Sequence, residues 1–373
     1  MKVALELQPC CGNRSGIGTY AYELARRMKS GDGLEFAGNL FNFLGRNDNR
    51  GILAGVSMPV RTCRTMPYGV YRRIWHAAPI PYAAFFPKAD LSLFFDYIVP
   101  PRVSGRIMTT IHDMTYLRFP ETMGRRNLDR IHRDIDTSVE RSDRILTVSE
   151  FSKREIVELL RISPEKVCVV YNAPSIRDEA APLAYLQKEY GICRPYLLYV
   201  GTIEPRKNVL RLLRAFEQLK EEGGIPHQLV LAGGMGWQTE AFQYAVASSH
   251  WKAQVIMTGY VPENVKTALY RYAEAFVFPS LYEGFGIPPL EAMSLGCPVV
   301  CSDAASLPEV VGEAGIYVNP ADVPSIAQGI WTVIRCPEQR EALLEKGCAQ
   351  VRKFSWETSA ERLADICREL LVQ

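Results

Sequence analysis

Glu283 and Glu291 stand eight residues apart in Ser280-Leu-Tyr-Glu-Gly-Phe-Gly-Ile-Pro-Pro-Leu-Glu-Ala. The apolar run 275–279 before them reads as a buried strand. Pro288 suits the first turn of a helix, where its missing N–H has no intrahelical partner in any case. The amides of Gly284, Phe285, Gly286 and Ile287 then fall at a helix N-terminus, where aligned backbone dipoles favour an anion and above all a diphosphate. A carboxylate beside such a site is unfavourable unless it accepts hydrogen bonds, and sugar hydroxyls are the natural donors. Glu291, one turn inside the helix, could equally complement the dipole. A second apolar run, 196–200, leads into Gly201-Thr-Ile-Glu-Pro-Arg-Lys-Asn. There Arg206 offers a planar fork and Lys207 a point charge, a pair that suits pyrophosphate as well as a solvated loop.

Other candidates sit at strand ends in the first half. His112 and Asp113 close a strand pattern at 106–111, and His112 reads either as a buried structural histidine or as a site residue. Ser149 and Glu150 follow a strand pattern at 144–148, with Ser149 also suited to an N-cap. Gly16-Ile-Gly18-Thr-Tyr-Ala formally matches the GxGxxA nicotinamide fingerprint. The loop from Leu7 to Gly18 is too long for that tight turn, however, and the next strand, 35–43, ends without an acidic residue for a ribose. A glycine loop lining a cleft fits better. Asp134-Ile-Asp136 resembles a metal-holding DxD, but inside a helical pattern positions i and i+2 face about 200° apart and cannot share one metal. The ten cysteines are scattered without a CxxC pair. No metal site and no disulfide framework are expected.

The elements that must position these residues alternate between strand and helix, the pattern of an α/β protein with parallel sheets. The 373 residues suit two domains, and with 47% hydrophobic and 23% charged residues the chain is neither disordered nor collagen-like. No apolar run reaches the length of about 18 residues that a membrane helix needs, and no secretory leader is visible, so a cytoplasmic protein is expected. Residues 1–175 carry 25 Lys and Arg against 18 Asp and Glu, the remainder 18 against 23. That contrast argues for two domains with different partners. One βα series fills 1–173, although little in 31–90 can be assigned. A linker is read at 174–186, a second series at 187–354, and a terminal helix at 355–373. Two Rossmann-like domains facing across a cleft follow, with the site beyond the carboxyl ends of their strands.

Taken together, Glu283–x7–Glu291, Glu204-Pro-Arg-Lys-Asn, Ser15-Gly-Ile-Gly-Thr-Tyr, His112-Asp113, Thr147-Val-Ser-Glu, Thr258-Gly-Tyr-Val-Pro and Phe354-Ser-Trp-Glu resemble, in order and spacing, family 4 glycosyltransferases of the GT-B fold. The closest flavour is that of bacterial O-antigen and polysaccharide mannosyltransferases. The resemblance implies that Arg206 and Lys207 hold a donor diphosphate. Glu283 with the amides of Phe285 and Gly286 would hold the donor sugar, and Glu291 the ribose. His112 would lie near the sugar's reactive face, Gly16 and Gly18 near phosphate and acceptor, and Gly259-Tyr260-Val261 beside the nucleobase. It further implies retention of anomeric configuration without a metal or other cofactor, and a last helix crossing back to the first domain. The donor expected is GDP-mannose, with GDP-rhamnose, UDP-hexose and dTDP-rhamnose as alternatives, and the acceptor a lipid-linked glycan. A sugar-nucleotide epimerase or a non-catalytic sugar-nucleotide-binding subunit are the more distant readings.

Residues 61–88 hold Arg61, Arg64, Arg72, Arg73 and Lys88, with no acidic residue, among Tyr68, Tyr71, Trp75, Tyr82, Phe85 and Phe86. Basic and aromatic mixing suits an anionic membrane surface, giving peripheral attachment at the inner face of the cytoplasmic membrane. A core-packing insert is the alternative. Nucleic acid is not expected, since no base-reading motif accompanies the charge.

Overall fold

The computed structural model describes residues 1–11, 16–45, 51, 53–176 and 178–372. The expected glycine-loop residues Gly12, Asn13, Arg14 and Ser15 lie outside them. Two compact units result, the first formed by Met1–Tyr116, Arg125–Asn172 and Ser355–Gln373, the second by Leu117–Gly124 and Ala173–Phe354.

The described residues of the first unit form a parallel sheet of β1 (Lys2–Glu6), β2 (Glu35–Phe41), β3 (Val60–Cys63), β4 (Leu91–Phe94), β5 (Arg106–Thr110), β6 (Arg144–Thr147) and β7 (Val167–Val169). Their spatial order is β3-β2-β1-β4-β5-β6-β7. The second unit's sheet comprises β8 (Tyr196–Val200), β9 (Gln228–Ala232), β10 (Val255–Gly259), β11 (Ala275–Phe278), β12 (Val299–Ser302) and β13 (Gly315–Val318), ordered β10-β9-β8-β11-β12-β13. Central strands such as Tyr-Leu-Leu-Tyr-Val and Ala-Phe-Val-Phe are nearly continuous apolar runs because both faces of a parallel sheet are covered.

The two strands that the sequence did not mark, β3 and β13, are edge strands with partly exposed residues, so they lack the continuous apolar run. The expected linker at 174–186 is corrected. Its end already belongs to a helix, Leu183–Tyr190, which buries only Leu186 and stops at Gly191 with φ 68°. Residues 117–124 group with the second unit instead of extending the first without a break. Phe119 packs on Tyr282 with ring centroids 5.5 Å apart, and the indole nitrogen of Trp237 donates to the Thr122 carbonyl at 2.5 Å.

The C-terminal helix Trp356–Val372 belongs to the first unit. It buries Trp356, Leu363, Ile366 and Leu370, and its Ser359 hydroxyl donates to the Tyr171 carbonyl at 2.8 Å. In the 61–88 segment the rings turn inward, against the expectation that they face lipid. Phe41 gathers Tyr68, Tyr71, Tyr82, Phe85 and Phe86 at centroid distances of 5.0 to 6.3 Å. Burying rings of this size outweighs exposing them, and of the segment's Lys and Arg residues Arg64, Arg73 and Lys88 are exposed.

Candidate active site

In the second unit the strand order reverses between β8 and β11, which pair through Ala275↔Leu197 and Phe276↔Leu198. The loops leaving two such strands diverge and open a crevice. After β8 the chain turns at Gly201, then makes a short 3₁₀ turn at Pro205–Lys207. Asn208 ends that turn in the left-handed region at φ 60° and starts the helix Val209–Gly223. Its side-chain amide donates to the carbonyls of Pro279 at 2.9 Å and Pro320 at 2.7 Å, while the Leu281 amide donates to the Arg206 carbonyl at 2.9 Å. These bonds lock the cation loop to the loop that follows β11.

In that loop the Ser306 hydroxyl donates to the carbonyls of Glu283 at 2.9 Å and Phe285 at 2.8 Å, fixing the backbone on both sides of Gly284. Gly286 caps the helix Ile287–Ser294 at φ 103°. A Cβ at Gly286 would stand 2.6 Å from a Leu307 methyl, so only glycine fits. The first four amides of a helix lack internal partners. Here Pro288 and Pro289 take two of those places, which leaves Gly286 and Ile287 as the donors, a cradle restricted to its first two positions.

The charges converge on Glu283, three residues before Gly286. Glu283 accepts from Lys207 Nζ at 2.6 Å and from Arg206 Nη1 at 3.0 Å, and Arg206 also reaches Glu204 at 2.8 Å. Lys207 Nζ also lies over the Phe278 ring, 5.3 Å from its centroid, a cation–π contact that helps to hold the ammonium. Burial opposes ionisation of Glu283, but the Lys207 and Arg206 charges outweigh it and hold the carboxyl at about 2. Burial likewise pushes the Lys207 ammonium down, against the pull of Glu283. Two cations thus meet two carboxylates, one of them in the loop that leads to the helix amides.

Glu291 lies on the same helix but makes a separate cluster. Its oxygens accept from Lys266 Nζ at 3.2 Å and from the Tyr270 hydroxyl at 3.1 Å. Burial raises its carboxyl, opposed by Lys266. Each carboxylate oxygen keeps a second acceptor position. Gly259 ends β10, Tyr260 stands 72% exposed and Val261 is buried, so of this expected trio Tyr260 offers the accessible side chain.

In the first unit, His112 follows β5 and is buried, its ring against Tyr20 at 5.3 Å. Nε2 lies 3.0 Å from the Phe95 carbonyl, and since a carbonyl only accepts, Nε2 carries the proton and Nδ1 is left as an acceptor. Burial lowers the His112 pKa and keeps the ring neutral. Asp113 accepts from the Thr115 amide at 2.9 Å and the Tyr97 hydroxyl at 3.2 Å. The Ser149 hydroxyl caps Glu150–Leu160 by accepting from the Ser152 amide at 3.0 Å, and Ser149 is fully buried. Gly16 and Gly18 lie in the first turn of Gly16–Ala25, Gly16 exposed and Gly18 buried. Among the described residues no three His, Cys, Asp or Glu side chains gather as a metal site.

Residues 14–174 match the model of glycosyltransferase family 4, and residues 188–349 that of group 1 glycosyl transferases. Over 370 residues the sequence is 32% identical to the O-antigen chain mannosyltransferase B of Escherichia coli, covering 96% of this chain and 97% of that protein. The chain belongs to glycosyltransferase family 4. It is also 31% identical, over 61% of each chain, to the O-antigen chain mannosyltransferase RfbU of Salmonella typhimurium. Among solved structures, sucrose-phosphate synthase from Thermosynechococcus elongatus superposes with a TM-score of 0.74 at 19% identity, covering 100% of this chain and 99% of that one. WaaG, a glycosyltransferase of lipopolysaccharide biosynthesis, does so at 0.72 and 16% identity, covering 98% and 99%. At such identity these establish the GT-B fold.

For this family 4 glycosyltransferase, sequence reasoning left Glu204, Asn208, Ser306 and Lys266 without roles. Asn208 and Ser306 act through backbone carbonyls, which no side-chain pattern announces. Lys266 is a helix neighbour whose partner is 25 residues away. Glu204 was open to detection, as an acid two residues before a cation it can hold.

Proposed function

We propose that this enzyme transfers mannose from GDP-mannose to the end of a growing, lipid-linked polysaccharide, with retention and without a metal or other cofactor. The mannosyltransferase names of its relatives support the sugar. The observation that carries the chemistry is the Arg206–Lys207 pair converging on Glu283, in the loop that leads to the Gly286 and Ile287 amides. In bond cleavage negative charge grows on the leaving diphosphate, and fixed cations and amides stabilise it without reorganising. Glu283, tied to both cations, is a poor nucleophile but a good acceptor for sugar hydroxyls. That favours attack on the face the diphosphate leaves over a double displacement, which needs a free carboxylate. In this route the departing phosphate takes the acceptor's proton. Neutral His112 offers Nδ1 to a sugar hydroxyl, and Tyr260 offers a face for the base. In the first unit, Arg64, Arg73 and Lys88 supply attraction to an anionic membrane at about 1 kcal/mol each.

A thermal-shift panel of GDP, UDP and dTDP, followed by transfer from each sugar nucleotide with the product's anomeric configuration read by NMR, tests this. Stabilisation by GDP and an α-mannoside product are expected; preference for another nucleotide, or an inverted product, refutes the donor or the mechanism. Co-sedimentation with phosphatidylglycerol vesicles at low salt, lost in Arg73→Glu/Lys88→Glu, tests the membrane contact.

No helix among the described residues is long and apolar enough to cross a membrane.

A further inference from the structure

Glu6 has no part in the donor chemistry, yet its placement is unusual. It ends β1, in register with Asn39 on β2 and Phe94 on β4, at the point where the first sheet reverses its strand order. In an open α/β sheet that is where the loops separate and a ligand can enter. The side chain is 5% exposed, and one oxygen accepts from the Gln8 amide at 3.0 Å. Among the described residues no Lys, Arg or His pairs with it. It interacts electrostatically with Asp96, beyond β4, the Cys11 thiol, and the hydroxyls of Tyr68 and Tyr82. Arg130, which acts on Tyr68, lies 3.8 Å from Asp96. Alongside, Asn39 Oδ1 is buried without a hydrogen-bond partner, which native interiors seldom tolerate, and the Tyr82 hydroxyl meets the Asn39 side chain.

With acidic and neutral neighbours and no paired cation, this place has nothing to hold a phosphate. It suits groups that donate hydrogen bonds and carry no charge. Burial pushes the Glu6 carboxyl up to about 8, so the folded chain is destabilised by keeping it. A residue retained at such cost points to use rather than packing.

The geometry points to Glu6 as the residue through which the first unit binds hydroxyls of a neutral glycan acceptor, an inference that rests on the proposed glycan transfer. Asn39 and Tyr82 form the polar floor beneath it. Glu6 is thus an acceptor-binding residue, while Arg206, Lys207 and Glu283 serve the donor.

The test is saturation-transfer NMR with methyl α-D-mannopyranoside and α-1,2-mannobiose on the full chain, for wild type, Glu6→Met and Glu6→Gln. Met keeps the volume and removes the hydrogen-bonding oxygens; Gln keeps the Gln8 bond and an acceptor. Glu6→Met should weaken mannoside binding at least tenfold, and Glu6→Gln should stay within threefold of wild type. GDP-induced stabilisation should be unchanged in both, and neither variant should melt lower than wild type. Three results overturn the inference: no mannoside binding by wild type, equal binding by Glu6→Met, or a lower Tm in both variants with loss of GDP response, the mark of a structural role. If Glu6→Met does not fold, Glu6→Gln decides alone, because a lower Tm there also marks a structural role. Wild type that binds mannoside but transfers nothing from GDP-mannose refutes the donor assignment and leaves this one standing.

Discussion

Replacing Glu283 by glutamine keeps the shape of the side chain and removes the charge on which Lys207 and Arg206 converge. A carboxyl moved from an ordinary 4.5 to about 2 by folding contributes about 3 kcal/mol at neutral pH. Glu283→Gln should cost that amount, because the two cations lose their shared acceptor and only Glu204 remains for Arg206. In a unit of this size about 3 kcal/mol corresponds to a fall of roughly 6–12 °C in Tm. The sign follows from the depressed value. The stabilisation is complete above about pH 4.5 and disappears as pH falls toward about 2, so wild type should lose its advantage over Glu283→Gln across that window. A diphosphate supplies the missing negative charge, and saturating GDP should therefore raise the Tm of Glu283→Gln more than that of wild type. Scanning calorimetry from pH 2.5 to 7.5, with and without GDP, measures all three effects. A Tm within 2 °C of wild type at pH 7, with parallel acid limbs, refutes the view that this cluster stores net interaction energy.

Lys207→Ala and Arg206→Ala should each lower kcat about 100-fold or more with donor saturating, the scale of one lost preorganised contact; near wild-type turnover in both would exclude them from leaving-group stabilisation. Glu291→Ala should raise donor KM with kcat within threefold, since a ribose contact acts on ground and transition states alike. It should also lower Tm, because Lys266 and the Tyr270 hydroxyl lose their acceptor; unchanged KM with collapsed kcat would reverse that assignment. Gly286→Ala should cost about 1–3 kcal/mol from its φ of 103° and the Leu307 methyl 2.6 Å from the new Cβ, and weaken GDP binding; an unaltered Tm would show that the loop relaxes freely.

Much of this architecture was readable because parallel strands buried on both faces announce themselves as short apolar runs. Tyr196–Val200 could be delimited to the residue. β3 and β13 escaped because they are four-residue strands that are mostly only partly buried. The candidate site was legible wherever side chains of fixed chemistry adjoin glycine at a strand end, as with Arg206, Lys207 and Glu283. Their mutual pairing was not, for it depends on loops 76 residues apart being locked by Asn208 and Ser306. The rings of 61–88 misled because composition cannot tell an aromatic cluster built around Phe41 from one laid on lipid. Glu6 was hidden by its setting, since one acid in an apolar strand looks like an interruption until its neighbours are known.

The helix Trp356–Val372 also bears on how the protein is made. The second unit draws almost entirely on 173–354, so its chain is available while the last stretch is still on the ribosome. The first unit begins to emerge earlier yet stays incomplete until Trp356, Leu363, Ile366 and Leu370 arrive to cover it. Synthesis therefore passes through a stage in which the later-encoded unit can be finished and the earlier one still exposes apolar surface, the condition that invites aggregation or chaperone capture. A stop codon near residue 355 would leave the donor-binding residues of the second unit in place and strand the first unit at that stage.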